Sequence, residues 1–426
     1  LLGRGWDQND WPVKAFPTKA DLDSAFPDRP VWLRRIDGHA GWANSAALAM
    51  VDQDMSGDWQ PQDGLIRRDG AGQPDGVLVD GAMGLVQKAV PPISRELLVA
   101  SLDIALARMI SLGLTGVHDM GISQAILELY QQRINEKKFP TRVYAFTDGA
   151  GNTLDWLCER GAYSDQSGRL YMRAVKLFID GAMGSRGAAL LADYSDDPGN
   201  SGLLIMPVED MEARIEKAVS CDFQVGVHAI GDRGNRVALD ALASAIPKYP
   251  DNPGRHRIEH AQTLTVADIP RFAELGVIAA MQPTHATSDM YWVEDRLGHD
   301  RVVYAYAWRK LLNAGARLAL GSDFPVEQVN PMLGIHAAVT RQDVKGWPEG
   351  GWYPEEMLSR EEAVRGFTLD AAWSGFMETS VGSLESGKRA DFIILDKNLF
   401  EVDAAAIANI KVLQTWLDGE LVYSRP

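Results

Sequence analysis

From about residue 96 onward, apolar positions switch repeatedly between two periods. Helical-period stretches cover Glu96–Leu112, Ser123–Glu136, Glu209–Ser220, Asn235–Ala245, Val266–Leu275 and Arg301–Ala314. Between them stand seven short apolar runs that predict strands: Leu114–His118, Arg142–Phe146, Ala174–Ile179, Gln224–Ala229, Arg257–His260, Val277–Gln282 and Arg317–Gly321. Helix and strand patterns in alternation are the mark of βα units around a parallel sheet. The runs are built of Val, Leu, Ile, Phe and Ala, as strands covered on both faces require. Six of the seven lead into a polar or chemically active residue, and the C-terminal strand ends carry the active site in an α/β barrel. A doubly wound sheet would show a Gly-rich phosphate turn after its first strand, and none occurs. The pattern predicts an α/β fold, a TIM-like (β/α)8 barrel whose strand one lies upstream of Leu1.

The flanks read differently. Residues 1–95 are rich in Trp, Pro, Gly and Asp; Val31–Ile36 is strand-like, and Gly64–Arg67 with Gly76–Val79 predicts a hairpin around Asp69 and Gly70. We assign 1–95 to an inserted segment that covers the barrel mouth, 96–378 to the barrel, and 379–426 to part of a small β-sandwich. In that tail, Asp391–Asp396, Val412–Leu417 and Gly419–Tyr423 read as strands, too few to bury two faces without partners.

Composition narrows the function. The 426 residues carry 42 Lys plus Arg against 58 Asp plus Glu, a formal charge of −16. This excess argues against a nucleic-acid or anionic-membrane surface. No apolar run approaches the roughly 20 residues of a membrane span. Cys158 and Cys221 are the two cysteines, too few for a disulfide framework. The opening Leu-Leu-Gly-Arg-Gly-Trp-Asp is not a signal peptide, and the chain reads as one whose start lies elsewhere. A cytoplasmic location is favoured, with a periplasmic one left open.

The candidate chemistry sits at the strand ends. His118, His228 and His260 close predicted strands, His285 follows another by three residues, and Asp323 follows Leu320-Gly321-Ser322. A single such histidine is more often structural. His228, His260 and Asp323 on three barrel strands, however, converge on one mouth and suit Zn²⁺ or a similar divalent ion. Lys176 interrupts the apolar run Val175–Ile179, and a buried ammonium must be paired, deprotonated or modified. Two readings stand: a carbamate bridging metal ions, or an ion pair with Asp180 or Asp323.

Longer phrases carry a resemblance. Val-Lys-Leu-Phe-Ile-Asp-Gly-Ala-Met-Gly-Ser-Arg-Gly-Ala-Ala-Leu (175–190), Val-His-Ala-Ile-Gly-Asp-Arg (227–233) and His-Arg-Ile-Glu-His-Ala-Gln (256–262) are three of them. Met-Gln-Pro-Thr-His-Ala (281–286), Gly-Ser-Asp-Phe-Pro-Val-Glu (321–327) and Gly-Ser-Leu-Glu-Ser-Gly-Lys-Arg-Ala-Asp (382–391) are the others. Together the chain resembles the amidohydrolase superfamily, in the branch of N-substituted formamide deformylase-like enzymes. The resemblance implies a metal-dependent hydrolase of non-peptide amides, with Lys176, His228, His260 and Asp323 as metal ligands and zinc as the ion. It also implies Asp323 as general base. The superfamily's His-x-His pair is nowhere in these residues and is expected upstream, so that this stretch alone would bind at most one ion weakly.

Further roles are expectations of lower rank. His285 is a donor to the developing oxyanion or a structural residue. Ser185 and Arg186 contact a substrate carboxylate or carbonyl, unless Arg186 pairs with Asp180 or Asp193. His39, in the inserted segment, covers the mouth as part of a lid and is a substrate-binding candidate. Tyr291, Trp292 and Trp308 line an aromatic pocket or pack in the core. Glu259 and the pair Asp232–Arg233 are read as structural. The partner is a small-molecule amide, and the inserted segment with 12 Trp fits a homodimer. A cyclic-amide hydrolase or deaminase on the same barrel is the alternative reaction, and a ligand- or partner-binding barrel without turnover is the alternative of another class.

Overall fold

The computed structural model describes residues 1–149 and 153–426. Among the described residues, sixteen strands are present. β1–β5 (Leu2–Trp6, Trp32–Arg35, Ala40–Ala43, Gly64–Arg68, Pro74–Asp80) form one sheet in the order β1-β2-β3-β5-β4. The strands β6 (Gly116–Ile122), β7 (Arg142–Asp148), β9 (Leu170–Phe178), β10 (Gln224–Ala229), β11 (Arg257–His260), β12 (Ile278–Met281) and β13 (Arg317–Leu320) build the central sheet. Each is parallel to its neighbour. The two-residue β8 (Tyr163–Ser164) hangs on β9, and β14–β16 (Phe392–Leu395, Val412–Leu417, Glu420–Ser424) form a small antiparallel sheet.

The seven parallel strands follow chain order across the sheet, as the alternating pattern requires. Among the described residues no ladder joins β6 to β13, so the sheet curls as a barrel without closing. Strand parity then sorts the side chains. Val143, Ala145, Val175, Leu177, Val225, Val227 and Ile258 join the core between sheet and helices. The alternate positions Tyr144, Phe146 and Ala174 form a separate cluster. Lys176, His228, Arg257 and Glu259 share their parity. The strands are therefore not apolar on both faces: one face packs helices and the other carries the chemistry.

Several boundaries differ from the sequence reading. β6 starts at Gly116 because Leu114 is used to end the preceding helix, its N–H donating to Met109. It then runs to Ile122, which places His118 inside the strand rather than at its end. The expected helix Arg301–Ala314 is two short ones, His299–Val302 and Trp308–Asn313. Tyr306, at φ 51°, donates its N–H to the Gln262 carbonyl, and Ala305 bridges Thr263, which spends the backbone groups a continuous helix would need. Cys158 and Cys221 are disulfide-bonded, linking the helix Thr153–Arg160 to the end of Val208–Ser220.

The flanking sheets are tied to the barrel by buried polar contacts. Arg142, at the start of β7, is buried and makes a two-point ion pair with Asp391, with Asp418 as a further partner. Bidentate geometry of this kind fixes orientation as well as charge. At the other end, Asn9 accepts from Arg296, and Gly181 and Gly187 sit so close to Asp80 that a Cβ at either would meet its carboxylate at 2.4 or 2.3 Å. Glycine is the residue that lets the first sheet lie against the mouth. Among the described residues, no helix is long and apolar enough to cross a membrane.

Candidate active site

A cavity of about 1620 Å³ enters at the C-terminal ends of the barrel strands and continues down the lumen beside the helix Arg95–Ser111. Its mouth collects His228, His260, His285 and Asp323. His228 lies near the end of β10 with the correct parity. His260 ends β11 at φ 76°, and Asp323 follows β13 at φ 55°. His and Asp enter the left-handed region more readily than most side chains. Both residues depart from the strand direction there, just where a ligand must face the mouth.

His260, His285 and Asp323 each offer a ligand atom within 4.8 Å of the others. The His228 ring contacts that of His260, 4.6 Å between centroids, and His39 lies 5.0 Å from His228 on the other side. Burial lowers the pKa of His260 to about 3 and of His285 to about 4, and that of His228 falls well below 6.5 for the same reason. These are neutral imidazoles, the form that ligates metal. His260 Nδ1 and Gln282 Oε1 are 2.8 Å apart; the amide oxygen can only accept, so Nδ1 carries the proton and Nε2 keeps its lone pair. The buried Nε2 of His285 has no hydrogen-bond partner and lies 3.6 Å from Asp323 Oδ2. An orphaned nitrogen, a free lone pair and a carboxylate around one space fit a divalent ion.

Lys176 is buried in the lumen with Nζ 3.6 Å from the centre of the Phe178 ring and 3.3 Å from the Leu177 carbonyl, to which it donates. Neither Asp180 nor Asp323 pairs with it, which removes the ion-pair alternative of the sequence reading. Burial lowers its pKa to about 8, opposed by Glu259 and Asp323. Glu259 instead pairs with Arg257 at 2.8 Å, and Arg257 reaches His118 Nδ1 at 2.7 Å. His118 is thus a lumen residue held by Arg257.

Asp180 does different work. Its carboxylate accepts the N–H groups of Ala189, Ile230 and Gly231 at 2.9, 3.0 and 2.8 Å, stitching the loop after β9 to the loop after β10. His228 Nε2 lies 3.3 Å from the Gly181 carbonyl on the same loop. His39, from the first sheet, bonds Asp80 through Nδ1 at 2.7 Å. Burial disfavours its charged form, but the Asp80 carboxylate outweighs burial and raises its pKa.

Ser185 and Arg186 are outside the cavity lining. Ser185 donates to Ala182, and Arg186 pairs with Asp196 at 2.8 Å rather than with Asp180 or Asp193. Asp232 accepts from the backbone of Leu191 and Arg233 instead of pairing with the Arg233 side chain. Of the aromatic candidates, Trp292 lines the cavity, Trp308 is core, and Tyr291 stacks on Trp347 at the surface. Sequence reasoning missed Gln282, Arg257 and Asp80. Arg257 carried the same signal as Lys176, a charge in an apolar strand; Gln282 carried none beyond its place in a motif, and Asp80 carried none.

Comparison with known proteins shows the family. YtcJ of Bacillus subtilis (strain 168) is 35% identical, over all of this chain and 80% of its own length. N-substituted formamide deformylase of Arthrobacter pascens is 28% identical over 96% of this chain and 76% of its own. The crystal structure of an uncharacterized metal-dependent hydrolase from Pyrococcus horikoshii OT3 superposes with a TM-score of 0.75 at 29% identity, covering 95% of this chain and 78% of that one. The family profile described as "Amidohydrolase family" matches residues 1–423. The chain therefore belongs to the amidohydrolase family, hydrolases of carbon–nitrogen bonds other than peptide bonds.

Proposed function

We propose that this protein is a metal-dependent amidohydrolase that cleaves a non-peptide amide with water, Asp323 serving as general base. The observation that carries the reading is the convergence of His260, His285 and Asp323 ligand atoms within 4.8 Å at the mouth of a barrel. Two neutral imidazoles and a carboxylate favour zinc. The geometry supports His285 as a third donor to the ion over the oxyanion role. His228 and a carboxylated Lys176 are the further ligands proposed. When bound, the ion lowers the pKa of water and polarises the scissile carbonyl.

The chain's own groups do the rest. Asp323, about one-third exposed, accepts the water proton and returns it to the leaving nitrogen. Gln282 holds the His260 ring in the tautomer that leaves Nε2 free. Trp292 and Phe324 line the cavity and exclude water from an apolar part of the substrate. The Asp180 contacts fix the loops that follow β9 and β10, beside His228.

The test is a screen of zinc-loaded protein against N-acyl amines, formamides and N-acyl amino acids, scoring release of amine, with a chelator-treated sample beside it. Amine release that chelation abolishes supports the reading. Release that chelation leaves intact, or no release from any of the three classes, refutes it.

A further inference from the structure

At the cavity mouth, β1 and β2 run parallel with Arg4 directly opposite Arg34. Like charges in that position repel, and a fold keeps them only when something answers the charge. Neither guanidinium forms an ion pair among the described residues. Arg4 Nη2 donates to the Ile36 carbonyl at 2.9 Å, and Arg34 Nη2 reaches the Gly38 carbonyl at 3.4 Å. These bonds orient the two groups without neutralising them. Burial and the Arg34 charge depress the Arg4 pKa, against the pull of Asp323 and Asp37.

The neighbouring Arg35 shows the contrast. It is fully buried and neutralised by Asp7 and by Asp37. The other cavity carboxylates are also committed: Asp289 to Tyr306 and Gln262, and Glu327 to Ser288. Asp323 faces His285. Among the described residues, Asp10 is the one lining carboxylate with no side-chain partner, against two free guanidinium groups. In a chain of net charge −16, two unneutralised cations side by side over the reactive mouth are an exception that calls for an anion.

We propose that Arg4 and Arg34 form an anion-recognition point, so that the substrate is an amide bearing a carboxylate on the end directed toward the first sheet, as in an N-acyl amino acid. The inference rests on the amide-hydrolase reading above and names its substrate class. A guanidinium pair offers the planar donors that a carboxylate accepts, and it lines the same cavity as His260, His285 and Asp323. It also takes over the task that Arg186 cannot perform while paired with Asp196.

The experiment separates binding from turnover. N-acetyl-leucine and its neutral carboxamide are titrated calorimetrically into zinc-loaded protein, at low and at high salt, and amine release is scored in parallel. The carboxylate is expected to bind about tenfold tighter than the carboxamide at low salt, with the margin shrinking as salt rises. In the double variant Arg4→Gln/Arg34→Gln the two ligands should come within about twofold of each other. Both arginines are exposed, and removing their repulsion does not threaten the fold. A wild-type preference under about twofold, or a preference that survives in the double variant, overturns the anion site whatever the hydrolysis data show. A preference abolished by the double variant, with no amine released from either compound, upholds the anion site and removes the amide-hydrolase reading instead.

Discussion

His260 and Gln282 share a hydrogen bond of 2.8 Å between Nδ1 and Oε1, linking the ends of two adjacent parallel strands. Gln282 also donates through Nε2 to the Ala280 carbonyl at 3.1 Å, which fixes the amide so that its oxygen faces the imidazole. The ring is thereby oriented before any ion arrives. Replacing Gln282 by Met keeps the volume and removes the acceptor. Metal affinity should fall about 10–100-fold while the fold persists. Competition with a chromophoric chelator measures it, and an affinity within twofold of wild type would remove Gln282 from the site.

Asp323→Asn should fold, retain metal and lose turnover by about 10²–10⁴, because an amide cannot take the water proton. The substitution keeps shape and the left-handed backbone, which Asn tolerates as well as Asp. Steady-state rates with metal content measured on the same sample decide the point. A variant retaining more than about a tenth of the wild-type rate is incompatible with Asp323 as the base.

Asp180→Ala strips the acceptor from three buried N–H groups at once. Each unsatisfied donor costs about 1–3 kcal/mol, so a loss of about 3 kcal/mol or more in stability is expected. Urea titration followed by tryptophan fluorescence reads this directly. Because the same carboxylate holds the loops beside His228, metal affinity should fall in the folded variant too. An unchanged urea midpoint would mean that these loops are held by other contacts.

His256 makes acid stability partly a one-residue property. It is buried at the start of β11 and accepts the Val225 N–H at Nδ1, 3.2 Å, and burial lowers its pKa to about 4. Above pH 6.5 both folded and unfolded states are neutral and its contribution is complete. Between about 6.5 and 4 only the unfolded state takes up the proton, so stability falls with pH at about 1.4 kcal/mol per unit. From pH 7.5 to pH 5 the loss from this residue is about 2 kcal/mol. His256→Asn lacks the titrating group; its stability deficit relative to wild type should shrink by that amount at pH 5. An equal deficit at both pH values rules out His256 as an acid trigger.

Much of this protein was legible in its residue pattern. Alternating periods named the parallel βα architecture, and all seven parallel strands were placed to within four residues at either end, because short apolar runs between helical stretches mark buried strands locally. His228, His260 and Asp323 stood out because polar residues closing apolar runs mark the mouth of a barrel. Lys176 stood out because a charge among Val, Leu and Phe is costly unless used.

Convergence was decided by the tertiary structure. Sequence period reports burial but not how far a sheet curls, nor that His260 and Asp323 leave their strands in the left-handed region. Those two features bring His285, four residues beyond the end of β12, into the group with them. Parity inside a strand needs the true start of β6, which moved His118 from a strand end into the lumen beside Arg257. Arg186 found Asp196, and Arg4 came opposite Arg34, through pairings that span 10 and 30 positions. No local pattern encodes such partners. A charged side chain's partner is set by which backbone segments the packed core brings together, and that is a property of the whole chain.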